Sequence, residues 1–109
     1  MKLKYVLTDR DCDAILAALP IALHAANNDA ETMSYIEHVT SAGEKLIKRE
    51  KQLTNAELRV ICIAVISARE CLAGKPGFEL DTELRREIKK YFFEYQRLSQ
   101  VFEEQFLNK

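Results

Sequence analysis

Apolar positions along this chain recur at intervals of three and four, the period of an α-helix, in four stretches. In the first, about residues 9–27, Cys12, Ile15, Leu16, Leu19, Leu23 and Ala26 fall on one face. Thr8 precedes it, and the segment TDRD places Asp11 at the reciprocal position of a capping box. Pro20 lies inside this stretch. It removes the hydrogen bond to the Leu16 carbonyl, so a kink or break is expected there. A tolerated bend is the plain reading of Pro20, and a bend that opens a pocket is the functional one.

The second stretch, about residues 30–51, is capped by Asn28 or Asp29 and carries the stripe Tyr35, Ile36, Val39, Gly43, Leu46 and Ile47. A glycine inside a helix costs about 1 kcal/mol relative to alanine, and Gly43 within the stripe predicts a close helix crossing. The third, about residues 55–73, opens with LTNAEL. Thr54 caps it, Glu57 reaches back, and Leu53 can staple against Leu58. Gly74 stands at the C-terminal cap position, with Pro76 two residues on. The fourth, about residues 82–107, starts after Asp81; Leu84, Ile88, Tyr91, Tyr95, Leu98 and Phe102 hold a four–three heptad spacing along it. As one straight helix it would run about 39 Å and outlast its neighbours.

The links at residues 28–29 and 52–54 are short, which implies antiparallel neighbours, whereas GKPGFEL allows a wider crossing. The pattern predicts an all-α fold, a single-domain antiparallel four-helix bundle over residues 1–109. Ahead of it, Leu3, Tyr5 and Leu7 alternate with Lys2, Lys4 and Val6, as in a short extended arm. Such an arm pairs with its copy in another subunit or lies on the bundle.

One stretch breaks the pattern. In VICIAVISA, Val60 to Ala68, the stripe Leu58, Ile61, Val65, Ala68 and Leu72 is joined by Val60, Ile63 and Ile66 well off it. A surface helix should keep one polar face. Either this helix is central, contacted on both sides by the chain itself, or its second face meets another subunit. Exposed apolar patches often mark contact sites, and a homodimer is the favoured expectation, with Val60, Ile63, Ile66, Phe106 and Leu107 at the interface. A membrane span needs about 20 apolar residues, and Glu57, Arg59, Arg69 and Glu70 bracket the run too closely for one. Arg69, one turn above Val65, is expected to reach the rim or to meet a carboxylate from another helix.

Charge adds little direction. The chain holds 16 basic and 17 acidic residues, balanced between its halves, where a protein that wraps DNA is more basic. MKLKYVLTDRD turns charged too early for a signal peptide. Cys12, Cys62 and Cys71 are odd in number and match no zinc or redox spacing. Cys62 and Cys71 read as small buried apolar groups, and the three together suit a reducing compartment, with the cytoplasm the expected location.

Chemistry is sparse. His24 and His38 lie off the stripes, and no HExxH or Glu-x-x-His pair is present. DRDCD at residues 9–13 is too short for a calcium loop, and acids at a helix start are explained by the dipole. GKPG lacks the Walker spacing. No cofactor, metal site or catalytic set is expected. The most distinctive non-core feature is Phe93, opposite the seam of the fourth helix and surrounded by Arg86, Lys89, Lys90 and Arg97, with Gln96 and Gln100. An aromatic ringed by basic groups suits a protein-partner anchor. It also suits stacking on a nucleic-acid base, and the blander reading is a solvated face with ordinary i,i+3 and i,i+4 pairs. The leading expectation is a small non-catalytic interaction or regulatory protein. A nucleic-acid-associated regulator and a helical-bundle enzyme are the alternatives.

Overall fold

The computed structural model describes residues 7–26, 32–50, 52–74 and 82–107, with the side chains of 24–26, 32–35 and 106–107 outside that description. Among the described residues five α-helices follow in order: α1 Asp9–Ala26, α2 Thr32–Ile47, α3 Asn55–Leu72, α4 Thr82–Lys89 and α5 Phe92–Phe102. A π-helical turn, Glu103–Leu107, closes the described chain. No strand occurs among the described residues, and the architecture is an all-α helical bundle. The extended arm expected over the first residues lies outside the described residues, apart from Leu7, which packs on the core.

Local hydrogen bonding explains where the helices begin and end. At the head of α1, Asp11 N–H donates to Thr8 Oγ1 at 3.1 Å, and Thr8 N–H donates to an Asp11 carboxylate oxygen at 3.0 Å. At the head of α3 the same reciprocal pair forms between Thr54 and Glu57, at 3.1 and 2.7 Å. Both capping boxes satisfy N–H groups that a helix start leaves free. Gly74 ends α3 with φ +79°, in the left-handed region glycine favours. At the end of α2 the same role falls to Arg49, with φ 58°. Arg49 N–H donates to the Leu46 carbonyl at 3.2 Å and Glu50 N–H to the Lys45 carbonyl at 2.9 Å, which together make a Schellman motif.

α3 sits at the centre, packed against α1, α2, α4 and α5. That position accounts for its excess of apolar residues. Ile61, Val65 and Ala68 face the core, and the off-stripe Val60 is only 2% exposed, covered by the chain itself. Ile66 is half-buried and packs on the core, and Ile63 is half-buried. α1 packs on α2 where Leu19 Cδ1 would lie 3.4 Å from a Cβ at Gly43, the close crossing that the glycine predicts.

α1 continues as a helix through Pro20, so of the kink or break expected there the break does not occur. The ring is exposed while Leu19 and Ile21 on either side are buried, so packing carries the helix past the missing bond. The fourth predicted helix, by contrast, is not continuous. It turns at Lys90 and Tyr91, where Lys90 N–H and Tyr91 N–H bond to the Glu87 and Ile88 carbonyls, three residues back, at 3.3 and 3.0 Å. A straight helix over residues 82–107 would run about 39 Å, beyond the 33 Å greatest extent of the fold. The seam keeps its register across the turn, with Ile88, Tyr95, Leu98 and Phe102 fully buried and Leu84 and Tyr91 packed beside them.

Candidate functional site

The outer face of α5 is the surface the sequence singles out, and the fold fixes its direction. Tyr95 and Leu98 are fully buried. The Tyr95 hydroxyl donates to the Ala14 carbonyl on α1 at 2.7 Å, and burial raises its pKa. With this face locked, Phe93, Gln96, Arg97 and Gln100 recur on the opposite side at intervals of three, one and three, and all are exposed. Phe93 is 78% exposed and meets Phe92 edge-on, with ring centroids 5.7 Å apart. Ile47, at the end of α2, is the other large apolar side chain standing out among the described residues, at 68%.

The basic rim is divided. Arg97 belongs to the Phe93 face and also pairs with Asp11, a fully buried carboxylate at the start of α1. Lys90 pairs with Glu87 at 3.0 Å. Arg86 and Lys89 lie on α4, beyond the turn, exposed and without an ion pair among the described residues. The structure thus brings Phe93 and Arg97 together on one helix and sets Arg86 and Lys89 on another. The side chains of Phe106 and Leu107 fall outside the described residues, as does that of His24. His38 is half-buried. Arg69 donates to Ser99 Oγ at 3.0 Å and Glu103 Oε1 at 3.1 Å, the cross-helix carboxylate expected of it.

Three polar centres escape the sequence reading. The first is Glu57, a buried carboxylate that accepts from Lys45 Nζ at 2.7 Å, from Ser41 Oγ and from Thr54 N–H. Burial alone would raise its pKa, but the hydrogen bonds from Lys45, Ser41 and Thr54 outweigh that and hold it down at about 2. The second is Arg49, which reaches from the end of α2 to Asp13 at 3.1 Å and Asp9 at 3.3 Å on α1. Beside it, Cys12 is buried and its thiol pKa is raised, chiefly by burial, with Arg49 acting against that. The third is Arg10. Its Nη2 donates to the Lys90 carbonyl at 2.9 Å, its Nε pairs with Glu94, and its guanidinium lies 5.1 Å above the centre of the Tyr91 ring. In each, one member is visible as a cap or helix-start charge, while its partners come from other helices.

The chemistry of these centres is that of fastening. Every buried side-chain polar atom among the described residues has a partner. Cys12, Cys62 and Cys71 are free thiols, all buried. Among the described residues no group of three or more His, Cys, Asp or Glu could hold a metal ion, and no helix is long and apolar enough to cross a membrane. Comparison with protein-family models, curated proteins and solved structures finds no match to this chain.

Proposed function

We propose that this chain is a small non-catalytic binding protein, of regulatory or adaptor type, that engages a protein partner through the outer face of α5 with Phe93 as its anchor. The observation that carries this reading is the exposure of Phe93, 78%, while Tyr91 and Phe92 are half-buried and Tyr95 and Phe102 are buried. A rigid aromatic on a helix whose other face is locked presents contact area that needs little ordering on binding. Gln96, Arg97 and Gln100 supply a polar rim. The exposed Arg86 and Lys89 favour a partner that carries acidic groups beside its apolar pocket. Three buried free thiols fit a reducing compartment, with the cytoplasm as the location.

The nucleic-acid alternative has less support, because Lys90 and Arg97 already neutralise Glu87 and Asp11. The enzyme alternative needs a pocket at Pro20, which lies exposed on an unbroken helix.

The test is affinity capture from native lysate with the wild type and a Phe93→Ala, Lys90→Glu double variant, at low and high salt. A partner held by the wild type and lost by the variant, with helicity unchanged by circular dichroism, is the expected result. Capture retained by the double variant overturns the α5 reading. Recovery of nucleic acid that falls away steeply with salt would favour the alternative.

A further inference from the structure

The turn between α4 and α5 has no local cause in the sequence. Residues 85–95 contain neither proline nor glycine, the usual sources of a sharp helix break. The heptad seam runs straight across it, and its six members stay buried or half-buried on both sides. α5 also begins without a side-chain cap at Tyr91, whereas α1 and α3 begin in capping boxes.

What marks the turn is Arg10. In a straight α-helix the Lys90 carbonyl would accept from Glu94 N–H, four residues on. Here that carbonyl accepts from Arg10 Nη2 at 2.9 Å, and Arg10 Nε holds the Glu94 side chain. Arg10 therefore takes one of the two lone pairs of that carbonyl and ties down the side chain of the residue that carries the helical donor, while its guanidinium covers Tyr91. Arg10 is itself well exposed, with 61% of its side chain accessible. Contacts of that kind are weak and screened by salt.

We infer that the α4–α5 joint is a two-state hinge latched by Arg10. In its second state Glu94 N–H takes the Lys90 carbonyl and residues 82–102 form one helix. That helix would span about 30 Å, within the 33 Å extent of the fold. Straightening also changes the candidate site. On one continuous helix Arg86, Lys90, Phe93 and Arg97 recur at intervals of four, three and four along one side. In the present state the joint leaves Arg86 and Lys89 on α4 and Phe93 and Arg97 on α5. The latch thus regulates assembly of the basic and aromatic face, a consequence that rests on the proposed binding role, whereas the hinge itself does not.

The test uses the full chain, free of any partner, as wild type, Arg10→Ala and Glu94→Gln. NMR Cα shifts at Lys90 and Tyr91 report the backbone, and hydrogen exchange reports the Glu94 amide. In Arg10→Ala the two shifts are expected to move to helical values and the Glu94 amide to exchange at least tenfold more slowly. Glu94→Gln should move both in the same direction, less far, and carries the test alone if Arg10→Ala fails to fold. Non-helical shifts retained in the variants overturn the hinge, as do random-coil shifts throughout residues 85–95. Those outcomes leave the Phe93 reading standing, while capture retained without Phe93 removes that reading and leaves the hinge.

Discussion

Arg49 occupies a backbone conformation that usually selects glycine, and its side chain gives the reason for the exception. Glycine at φ 58° would be unstrained, but it has no side chain to pair with Asp9 and Asp13 as Arg49 does. Backbone and side chain can be separated by two substitutions. Arg49→Ala loses the ion pairs and keeps the left-handed strain, whereas Arg49→Gly loses the pairs and relieves it. The glycine variant is expected to be the more stable by about 1 kcal/mol, as read by denaturant midpoint. Phe93 calls for the opposite outcome. With 78% of its surface exposed, Phe93→Ala should leave stability within about 0.5 kcal/mol of the wild type. A loss of several times that would mean that Phe93 serves the fold rather than a partner.

Elements are fastened here by carboxylates that do two jobs. Asp11 caps α1 and holds Arg97 on α5; Glu57 caps α3 and holds Ser41 and Lys45 on α2. The pH dependence of stability follows from Glu57. Its carboxyl binds a proton less readily in the folded state, at about 2, than at its ordinary 4.5. As pH falls through 4.5 the unfolded chain takes up the proton first. Stability is therefore full above that value and declines until both states are protonated below about 2, a loss on the order of 3 kcal/mol. Urea titrations of wild type and Glu57→Gln should show the variant less stable at pH 7, with the gap closing towards pH 2. Parallel curves across that range would contradict the assignment. The caps were legible in the sequence because each is closed by residues three apart. Their second partners were not, since Ser41 is 16 residues from Glu57 and Arg97 is 86 from Asp11. The turn at Lys90 was hidden for the same reason: the local pattern is that of a continuous helix, and Arg10 lies 80 residues away.

At the scale of the molecule, the central place of α3 answers the anomaly of its sequence. An apolar period read on one helix says that two faces are covered, and cannot say by which chain. The bundle covers Val60 fully and Ile66 in part. An intersubunit patch thereby loses its flank at Val60 and rests on Ile63, its centre. Sedimentation equilibrium is expected to return a monomer of 12.5 kDa; twice that mass, abolished by Ile63→Glu, would restore the dimer. The candidate site was legible in Phe93, because an aromatic opposite a heptad seam has nowhere to go but outward. The division of its basic rim was not, because it depends on the joint.

The central claim is that the outer face of α5 binds a protein through Phe93. Calorimetric titration of the purified captured partner into wild type and Phe93→Ala tests it most directly. An anchor of this kind contributes about 2 kcal/mol or more, roughly thirtyfold in affinity, so the variant is expected to bind at least that much more weakly with its thermal unfolding unchanged. Equal affinity for the two proteins would contradict the account.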